Sequence, residues 1–163
     1  MVNTTTLEEA KKMLRENFDT GIECPCCGQF VKKYNRKITS AMAYGLILLY
    51  QYNKKNPGEW VHVENYFKSL NIPSSIRGDI SKLRYWHLIE KKSEIREDGS
   101  NRNGYYRIDN LNGISFVENR KRVSARAYIY NQRVYGFSPE TVTIAECLGK
   151  KFNYKELMGY DKQ

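Results

Sequence analysis

The sequence has 163 residues, enough to bury the core of one ordinary domain, and 40% of them are hydrophobic, which excludes a disordered chain. The net charge of +9 at neutral pH favours a negatively charged partner. The most apolar stretch, AMAYGLILLY, is only about half as long as a membrane-spanning helix. Because the start of the sequence lacks the pattern of a signal peptide, we expect a cytoplasmic protein without a membrane partner.

The excess of positive charge is concentrated in the middle of the chain. Residues 24–122 carry 18 basic and 9 acidic side chains, whereas residues 1–23 carry 3 basic and 5 acidic ones. A localised positive field is typical of a surface that binds a polyanion such as nucleic acid. The alternative is a basic composition that serves solubility alone.

Residues 4–18 predict the first helix, in which Thr6 is the N-cap and Glu9 completes a capping box. The turn ECPCCGQF follows at residues 23–30. Within it, Cys24 and Cys27 have the spacing with which two thiolates bind one structural zinc ion.

This cysteine pair supplies only half of a tetrahedral zinc site. The other two ligands would come from a distant part of the chain or from a second chain, and the second arrangement would make a homodimer through the turn. A redox pair and an emptied, inert site are the alternatives.

The middle of the chain predicts a run of helices around one short strand. The stretch ITSAMAYGLILLYQYNKKNP predicts a buried core helix that begins at Thr39 or Ser40. A strand over residues 59–63 and a short helix follow, and residues 74–86 predict a further helix. The apolar side of that last helix consists of Ile76, Ile80 and Leu83.

Two alternating runs, residues 88–95 and 105–108, flank the turn-forming stretch EDGSNRNG and predict a hairpin with a long tip. The order of helix, strand, two helices and hairpin over residues 38–117 resembles a winged-helix (winged helix-turn-helix) domain. KLRYWHLIEKK and GYYRI resemble the end of a recognition helix that runs into the wing. His87 stands at that junction, where the family commonly has glycine, and it can adopt the left-handed turn geometry.

The winged-helix resemblance implies that helix 74–86 enters the major groove of duplex DNA and that wing 92–107 contacts a neighbouring groove or the backbone. Serine, lysine and arginine can donate to phosphate, and arginine can donate two hydrogen bonds to guanine. The predicted DNA-binding residues are Ser74, Ser75, Arg77, Lys82, Arg84, Arg96, Arg102 and Arg107.

The end of the chain predicts a C-terminal extension, residues 118–163, packed on the winged helix, while residues 1–37 form an N-terminal segment. Two strands are predicted on either side of residues 131–132. A helix is expected to begin with Ser138 as N-cap and Pro139 at its first position and to end at Gly149, and one short helix follows. The fold class is therefore predicted to be α+β.

The whole chain, from CPCCGQFV through the wing to KFNYKELM, also resembles small proteins of bacteriophages and prophages, which implies a bacterial host cell. The usual pair in those proteins matches Cys24 and Cys27, and Cys26 is an addition. Two histidines at this spacing assemble no catalytic constellation, so we expect no enzyme. The alternative to a DNA-binding protein is a phage-encoded inhibitor that binds a host nucleic-acid enzyme, for example a defence nuclease.

Overall fold

A computed structural model describes residues 5–77, 79–93 and 104–160 as a mixture of helices and antiparallel strands, which confirms the predicted α+β class. The chain divides into two compact units. Unit 1 consists of residues 1–37 and 126–138, and unit 2 consists of residues 38–125 and 139–163. Within the described residues, no helix has both the length and the apolar character that a membrane crossing requires.

The helices and strands are short, apart from one central helix. In chain order they are α1 (Leu7–Glu16), β1 (Ile22–Glu23), β2 (Phe30–Val31), β3 (Tyr34–Lys37), α2 (Ser40–Lys55), β4 (Val61–His62), α3 (Val63–Ser69), α4 (Ser74–Arg77), a 3₁₀ helix (Ile80–Trp86), β5 (Ile89–Lys91), β6 (Tyr105–Ile108), α5 (Asn112–Val117), β7 (Val123–Ser124), β8 (Arg126–Tyr130), β9 (Arg133–Phe137), β10 (Thr141–Val142), α6 (Ile144–Leu148) and α7 (Tyr154–Met158).

Unit 1 is built from α1 and two small antiparallel sheets. The predicted cap of α1 is confirmed: the Thr6 hydroxyl accepts from the Glu9 amide, and the Glu9 carboxylate accepts from the Thr6 amide. Strands β1 and β2 form a hairpin, and β3, β8 and β9 form a sheet with β8 in the centre. Asn131 and Gln132 connect β8 to β9 with φ of 48° and 62°, the left-handed geometry of a tight hairpin turn, as predicted.

Unit 2 is organised around α2, which contacts β6, α4, α5, α6 and the 3₁₀ helix. The Thr39 hydroxyl caps this helix by accepting from the Met42 amide, in agreement with the prediction. Strands β4, β6 and β5 form an antiparallel sheet with β6 in the centre. The largest side chains that are completely buried in this unit include Phe67, Phe116, Leu46, Leu49, Leu83 and Leu88. Burial of each stabilises the unit by about 2 kcal/mol relative to exposure.

One buried polar side chain joins the sheet of unit 2 to the central helix. Asn53 of α2 accepts from the Ile108 amide of β6 at 2.9 Å and donates to the Glu59 carbonyl at 2.9 Å. Because buried amides need partners, these bonds fix β6 and the segment before β4 against α2. The position of the hairpin strand β6 therefore depends on Asn53.

The predicted continuous helix over residues 74–86 is wrong. The chain forms a single turn, α4, and then a 3₁₀ helix whose N-cap is Asp79. Glycine and aspartate at positions 78 and 79 are poor helix formers. In the 3₁₀ helix Ile80, Leu83 and Trp86 are buried, because side chains three residues apart lie on the same side of a 3₁₀ helix.

The junction after the 3₁₀ helix agrees with the sequence analysis. His87 has φ 58° and ψ 31°, the left-handed conformation expected at this position, and Ile89 begins β5 two residues later. Strand β6, Tyr105–Ile108, has the predicted bounds. Position 78 and residues 94–103, which contain the predicted tip of the wing, lie outside the described residues.

The predicted N-cap at Ser138 is also wrong. Its hydroxyl accepts from the Arg126 amide at 3.1 Å, and the next residues form β10, which pairs with β7. Helix α6 begins later, because the Thr143 hydroxyl accepts from the Glu146 amide and caps it. β-Branched residues at 141–143 favour an extended chain before the helix. The predicted end of the helix at Gly149 is confirmed.

Candidate nucleic-acid interface and metal centre

The first predicted DNA-binding residues are on α4. Ser74 and Ser75 are exposed, and their hydroxyls are accessible to a phosphate. Arg77 is instead partly buried: its guanidinium donates to the Ile72 carbonyl at 3.3 Å, and its Nε is buried without a partner in the described part of the chain. Only part of the Arg77 guanidinium is therefore available to a ligand.

Two further predicted residues are on the 3₁₀ helix. The Lys82 ammonium forms an ion pair with Asp79 at 3.0 Å, and the Lys82 side chain is 37% exposed. The Arg84 guanidinium lies 5.3 Å from the centre of the Tyr85 ring. A surface ion pair contributes only about 0.5 kcal/mol, so a phosphate can displace Asp79 from Lys82 at low cost.

Arg107 of β6 is held by three neighbours. It forms an ion pair with Glu90 at 2.6 Å and donates to the Gly58 carbonyl at 2.9 Å. Its guanidinium also lies 4.2 Å from the centre of the Trp60 ring. These contacts give Arg107 a structural role in unit 2. The remaining predicted residues, Arg96 and Arg102, lie outside the described residues.

The cysteine turn lies at the end of the hairpin formed by β1 and β2. Glu23 pairs with Phe30 in the hairpin, and the Cys24 amide donates to the Gln29 carbonyl at 2.7 Å. The Gly28 amide donates back to the Cys24 carbonyl at 2.8 Å, and Gly28 has φ +75°, which glycine adopts without strain. The local sequence thus folds into a closed turn around the predicted metal ligands.

The electrostatics of this turn favour a thiolate at Cys24. Hydrogen bonds from the backbone of Cys27 and then of Cys26 lower the pKa of the Cys24 thiol, and weaker contacts with their side chains act in the same direction. Cys24 is half-buried, while Cys26 and Cys27 are exposed. Thiolate is the form that binds zinc, so the turn is suited to hold the metal through Cys24 and Cys27.

The described residues contain no cluster of three or more histidine, cysteine, aspartate or glutamate side chains arranged to hold a metal ion. The fourth cysteine, Cys147, belongs to α6, and burial raises its pKa to about 12. The Cys147 side chain is partly buried. His62 caps α3 by accepting from the Asn65 amide through Nδ1 at 3.2 Å.

A third feature of the structure was missed by the sequence analysis. The sheet formed by β3, β8 and β9 carries five aromatic and four basic side chains and no acidic one. The sequence signal was available in YNRK and RAYIYNQRVYGF, where aromatic and basic residues alternate. The two stretches are about 90 residues apart, and only the pairing of β3 with β8 brings them into one sheet.

Searches for related proteins found no matching protein-family model, no matching curated protein and no matching solved structure.

Proposed function

We propose that the protein is a non-catalytic winged-helix protein that binds duplex DNA in the cytoplasm of a bacterial host cell. The observation that carries the proposal is the topology of unit 2. Helix α2, strand β4, helix α3, the α4 and 3₁₀ segment and strands β5 and β6 follow one another, and the strands pair in the order β4-β6-β5. This arrangement supports a domain in which the segment before the hairpin is the recognition element.

The chemistry of the recognition segment is also suited to DNA. Ser74 and Ser75 are exposed donors, Lys82 forms a surface ion pair, and Lys91 and Lys92 follow on the first hairpin strand or directly after it. Cations that neutralise phosphates release counterions from DNA, which makes affinity fall as salt rises. The proposed interface therefore consists of the residues from α4 to β5 together with the hairpin.

The proposal is tested by replacing Lys82 and Arg102 with alanine in one variant and titrating a fluorescent duplex at several salt concentrations. If each side chain neutralises one phosphate, the slope of log affinity against log salt becomes shallower by about 1.8. Lys150→Ala with Lys151→Ala is the matched control, because it removes the same charge from exposed positions of unit 2. Equal slopes for the two double variants would contradict the proposed interface.

A second function is favoured by the ion pairs at the proposed interface. Asp79 and Glu90 form ion pairs with Lys82 and Arg107, so two of the predicted DNA-binding cations already have an acidic partner within the chain. A surface that carries both signs of charge can be matched by complementary charges on a protein, so the second candidate is an inhibitor of a host nucleic-acid enzyme. The test is a pull-down from host lysate with and without nuclease. Recovery of one host protein in stoichiometric amount, unchanged by nuclease, would favour this function. Loss of that protein after nuclease treatment would oppose it.

We also propose that Cys24 and Cys27 bind a structural zinc ion and that two chains share it, each contributing two thiolates. The hydrogen bonds that lower the pKa of Cys24 and the closed turn at Gly28 support the first part. The second part follows from the four ligands of a structural zinc site. When bound, the zinc ion would cross-link the two cysteine turns and would have no catalytic role.

Metal analysis of protein purified without a chelator is expected to give one zinc per two chains, and sedimentation is expected to show a dimer. Cys24→Ser with Cys27→Ser should lose both the zinc and the dimer. Cys147→Ser is the control and should keep them, since Cys147 is on a different element. Protein that contains no zinc would contradict the metal proposal, and a zinc-loaded monomer would contradict the shared site.

A further inference from the structure

The sheet of unit 1 has one side on which tyrosines and cations lie together. In the register of the sheet, Tyr128 of β8 is opposite Asn35 of β3 and Gly136 of β9. Tyr130 and Arg126 are two residues away on β8 and therefore lie on the same side as Tyr128. Cross-strand partners share a side, so this side also carries Lys37, which pairs with Arg126, and Arg133, which pairs with Tyr130.

A β-bulge adds a third tyrosine to this side. The register between β8 and β9 shifts at Tyr128 and Ile129, which leaves Tyr135 without a direct partner. The ring of Phe18 is 5.1 Å from the ring of Tyr135 and 5.6 Å from that of Tyr130, so Tyr135 lies on the side of Tyr130. We call this side the tyrosine face, and its residues are Tyr128, Tyr130, Tyr135, Lys37, Arg126 and Arg133.

The tyrosine face is open to a ligand. Tyr135 is 53% exposed, and Tyr128 and Tyr130 are half-buried. Gly136 has no side chain opposite Tyr128, and a Cβ at Gly136 would lie 3.7 Å from the Tyr128 ring. The glycine therefore leaves space beside the ring in the centre of the sheet.

The charge of the face is positive, and one of its three cations, Arg126, donates to the Asn35 side chain at 3.3 Å. Residues 30–37 and 126–138 contain six lysines and arginines and no aspartate or glutamate. Lys37 and Arg133 are exposed and form no ion pair within the described residues. Lys33 lies 4.9 Å from the Tyr128 ring and pairs with Asp19 of the preceding loop. On this side of the sheet the exposed ring of Tyr135 and the exposed cations Lys37 and Arg133 thus lie beside the half-buried rings of Tyr128 and Tyr130.

We propose that the tyrosine face binds single-stranded nucleic acid. The aromatic rings would stack on unpaired bases, while Lys37, Arg126 and Arg133 contact the phosphates between them. A duplex cannot use the rings, because its bases are already stacked and paired inside the helix. A protein partner would need acidic side chains placed to match the cations, whereas a single strand supplies a phosphate and a base that can stack at every nucleotide. Charge and shape together therefore favour a single strand.

The opposite side of the same sheet provides a matched control. Tyr34 pairs with Ile129 and Arg36 pairs with Ala127, which places Tyr34 and Arg36 on the side away from Tyr128. Tyr34 is 46% exposed, close to the exposure of Tyr135, and the guanidinium of Arg36 is 5.6 Å from its ring. The pair therefore reproduces the residue types and exposure of the tyrosine face, but not its position.

The experiment compares Tyr135→Ala with Lys37→Gln against Tyr34→Ala with Arg36→Gln in the full-length protein. The probe is a labelled oligothymidylate of about 20 nucleotides, titrated by fluorescence anisotropy. We expect the tyrosine-face variant to bind about tenfold more weakly than the wild type. Its slope of log affinity against log salt should be shallower by about 0.7, as one lost phosphate contact requires. The opposite-side variant should bind as the wild type does.

A charge reversal separates binding from folding, because Tyr135 also contacts Phe18. Lys37→Glu changes an exposed side chain that forms no ion pair within the described residues, and Arg36→Glu is its neighbour on the opposite side. Both should unfold at the temperature of the wild type, and only Lys37→Glu should weaken oligothymidylate binding. Equal losses in both variants would overturn the proposal, as would wild-type protein that does not bind oligothymidylate at low salt.

Two further probes test which kind of single strand is bound and whether duplex DNA binds at a different surface. Oligouridylate of the same length shows whether the strand is DNA or RNA. A duplex probe shows whether the tyrosine-face variant retains duplex binding, which belongs to unit 2 in the proposed function. Loss of duplex and single-strand binding to the same extent in this variant would contradict an independent single-strand surface.

Discussion

Replacement of Arg107 with alanine is expected to destabilise the protein, because the guanidinium joins three parts of unit 2. It contacts Glu90 of β5, the Gly58 carbonyl after α2 and the Trp60 ring before β4. In the sequence analysis Arg107 was a DNA-binding residue, and that role stays a prediction. The structure adds contacts through which its loss would loosen the hairpin even without DNA.

The magnitude follows from the three contacts. The ion pair with Glu90 is partly exposed, at 34% for Arg107 and 41% for Glu90, and contributes about 0.5 kcal/mol. The hydrogen bond to Gly58 contributes about 1 kcal/mol. The cation–π contact with Trp60 adds about 0.5 kcal/mol. Together these contacts give a loss of about 2 kcal/mol, which lowers the melting temperature of a chain of this size by about 6 °C.

Thermal unfolding followed by circular dichroism measures this loss in Arg107→Ala, with Lys91→Ala as the control. Lys91 is an exposed cation on β5 of the same sheet. Arg107→Lys should have an intermediate melting temperature, because lysine keeps the charge beside Glu90 but loses the planar guanidinium over Trp60. The reasoning is refuted if Arg107→Ala is as stable as the Lys91→Ala control.

Three other substitutions test the packing of unit 2. Gly113→Ala should cost about 3 kcal/mol in the free energy of unfolding, although alanine favours helices, because its Cβ would be much closer to the Leu88 carbonyl oxygen than van der Waals contact permits. A urea melt that shows wild-type stability would contradict this. Asn53→Ala should cost about 3 kcal/mol in the same melt, since the buried Ile108 amide and the Glu59 carbonyl lose the Asn53 side chain as their partner. Burial, followed by the hydrogen bond to Glu118, raises the pKa of Tyr50 to about 12, so stability is complete below the ordinary tyrosine pKa of 10.0 and falls as pH rises towards 12. Tyr50→Phe should reduce that alkaline loss, and an unchanged pH profile of unfolding would argue against a protonated Tyr50 in the folded state.

Local signals in the sequence were sufficient for the elements whose ends depend on neighbouring residues. Thr6 and Thr39 cap their helices as predicted, because a capping bond spans only three residues. His87 adopts the predicted left-handed turn, and strand β6 has the predicted bounds. In each case the deciding interaction is contained within a few consecutive positions.

The errors arose where a distant strand decided the structure. Ser138 was predicted to start a helix, but its hydroxyl accepts from Arg126, twelve residues earlier, and the chain after it pairs with β7. The segment 74–86 was predicted as one helix from a period of 3.6, whereas Ile80, Leu83 and Trp86 are buried with a period of three. Trp86, the last buried residue of this 3₁₀ helix, is also held by a distant segment, because its indole donates to the Ser124 carbonyl at 2.8 Å.

At the candidate surfaces, too, features set by neighbouring residues could be predicted and features set by distant contacts could not. The cysteine turn is local, and its closed geometry around Cys24 could be predicted from the spacing of the cysteines and Gly28. The neighbours of Lys82 and Arg107 could not be predicted from periodicity, because ion pairs depend on side-chain geometry. The tyrosine face could not be predicted either, since it requires the pairing of β3 with β8 across most of the chain.

Titration of a labelled random-sequence duplex at several salt concentrations tests most directly whether the protein binds duplex DNA. The account predicts tight binding at low salt and an affinity that falls steeply as salt rises, with a slope that corresponds to several phosphate contacts. Absent binding at low salt, or an affinity that does not change with salt, would contradict the DNA-binding function and favour a protein partner for unit 2.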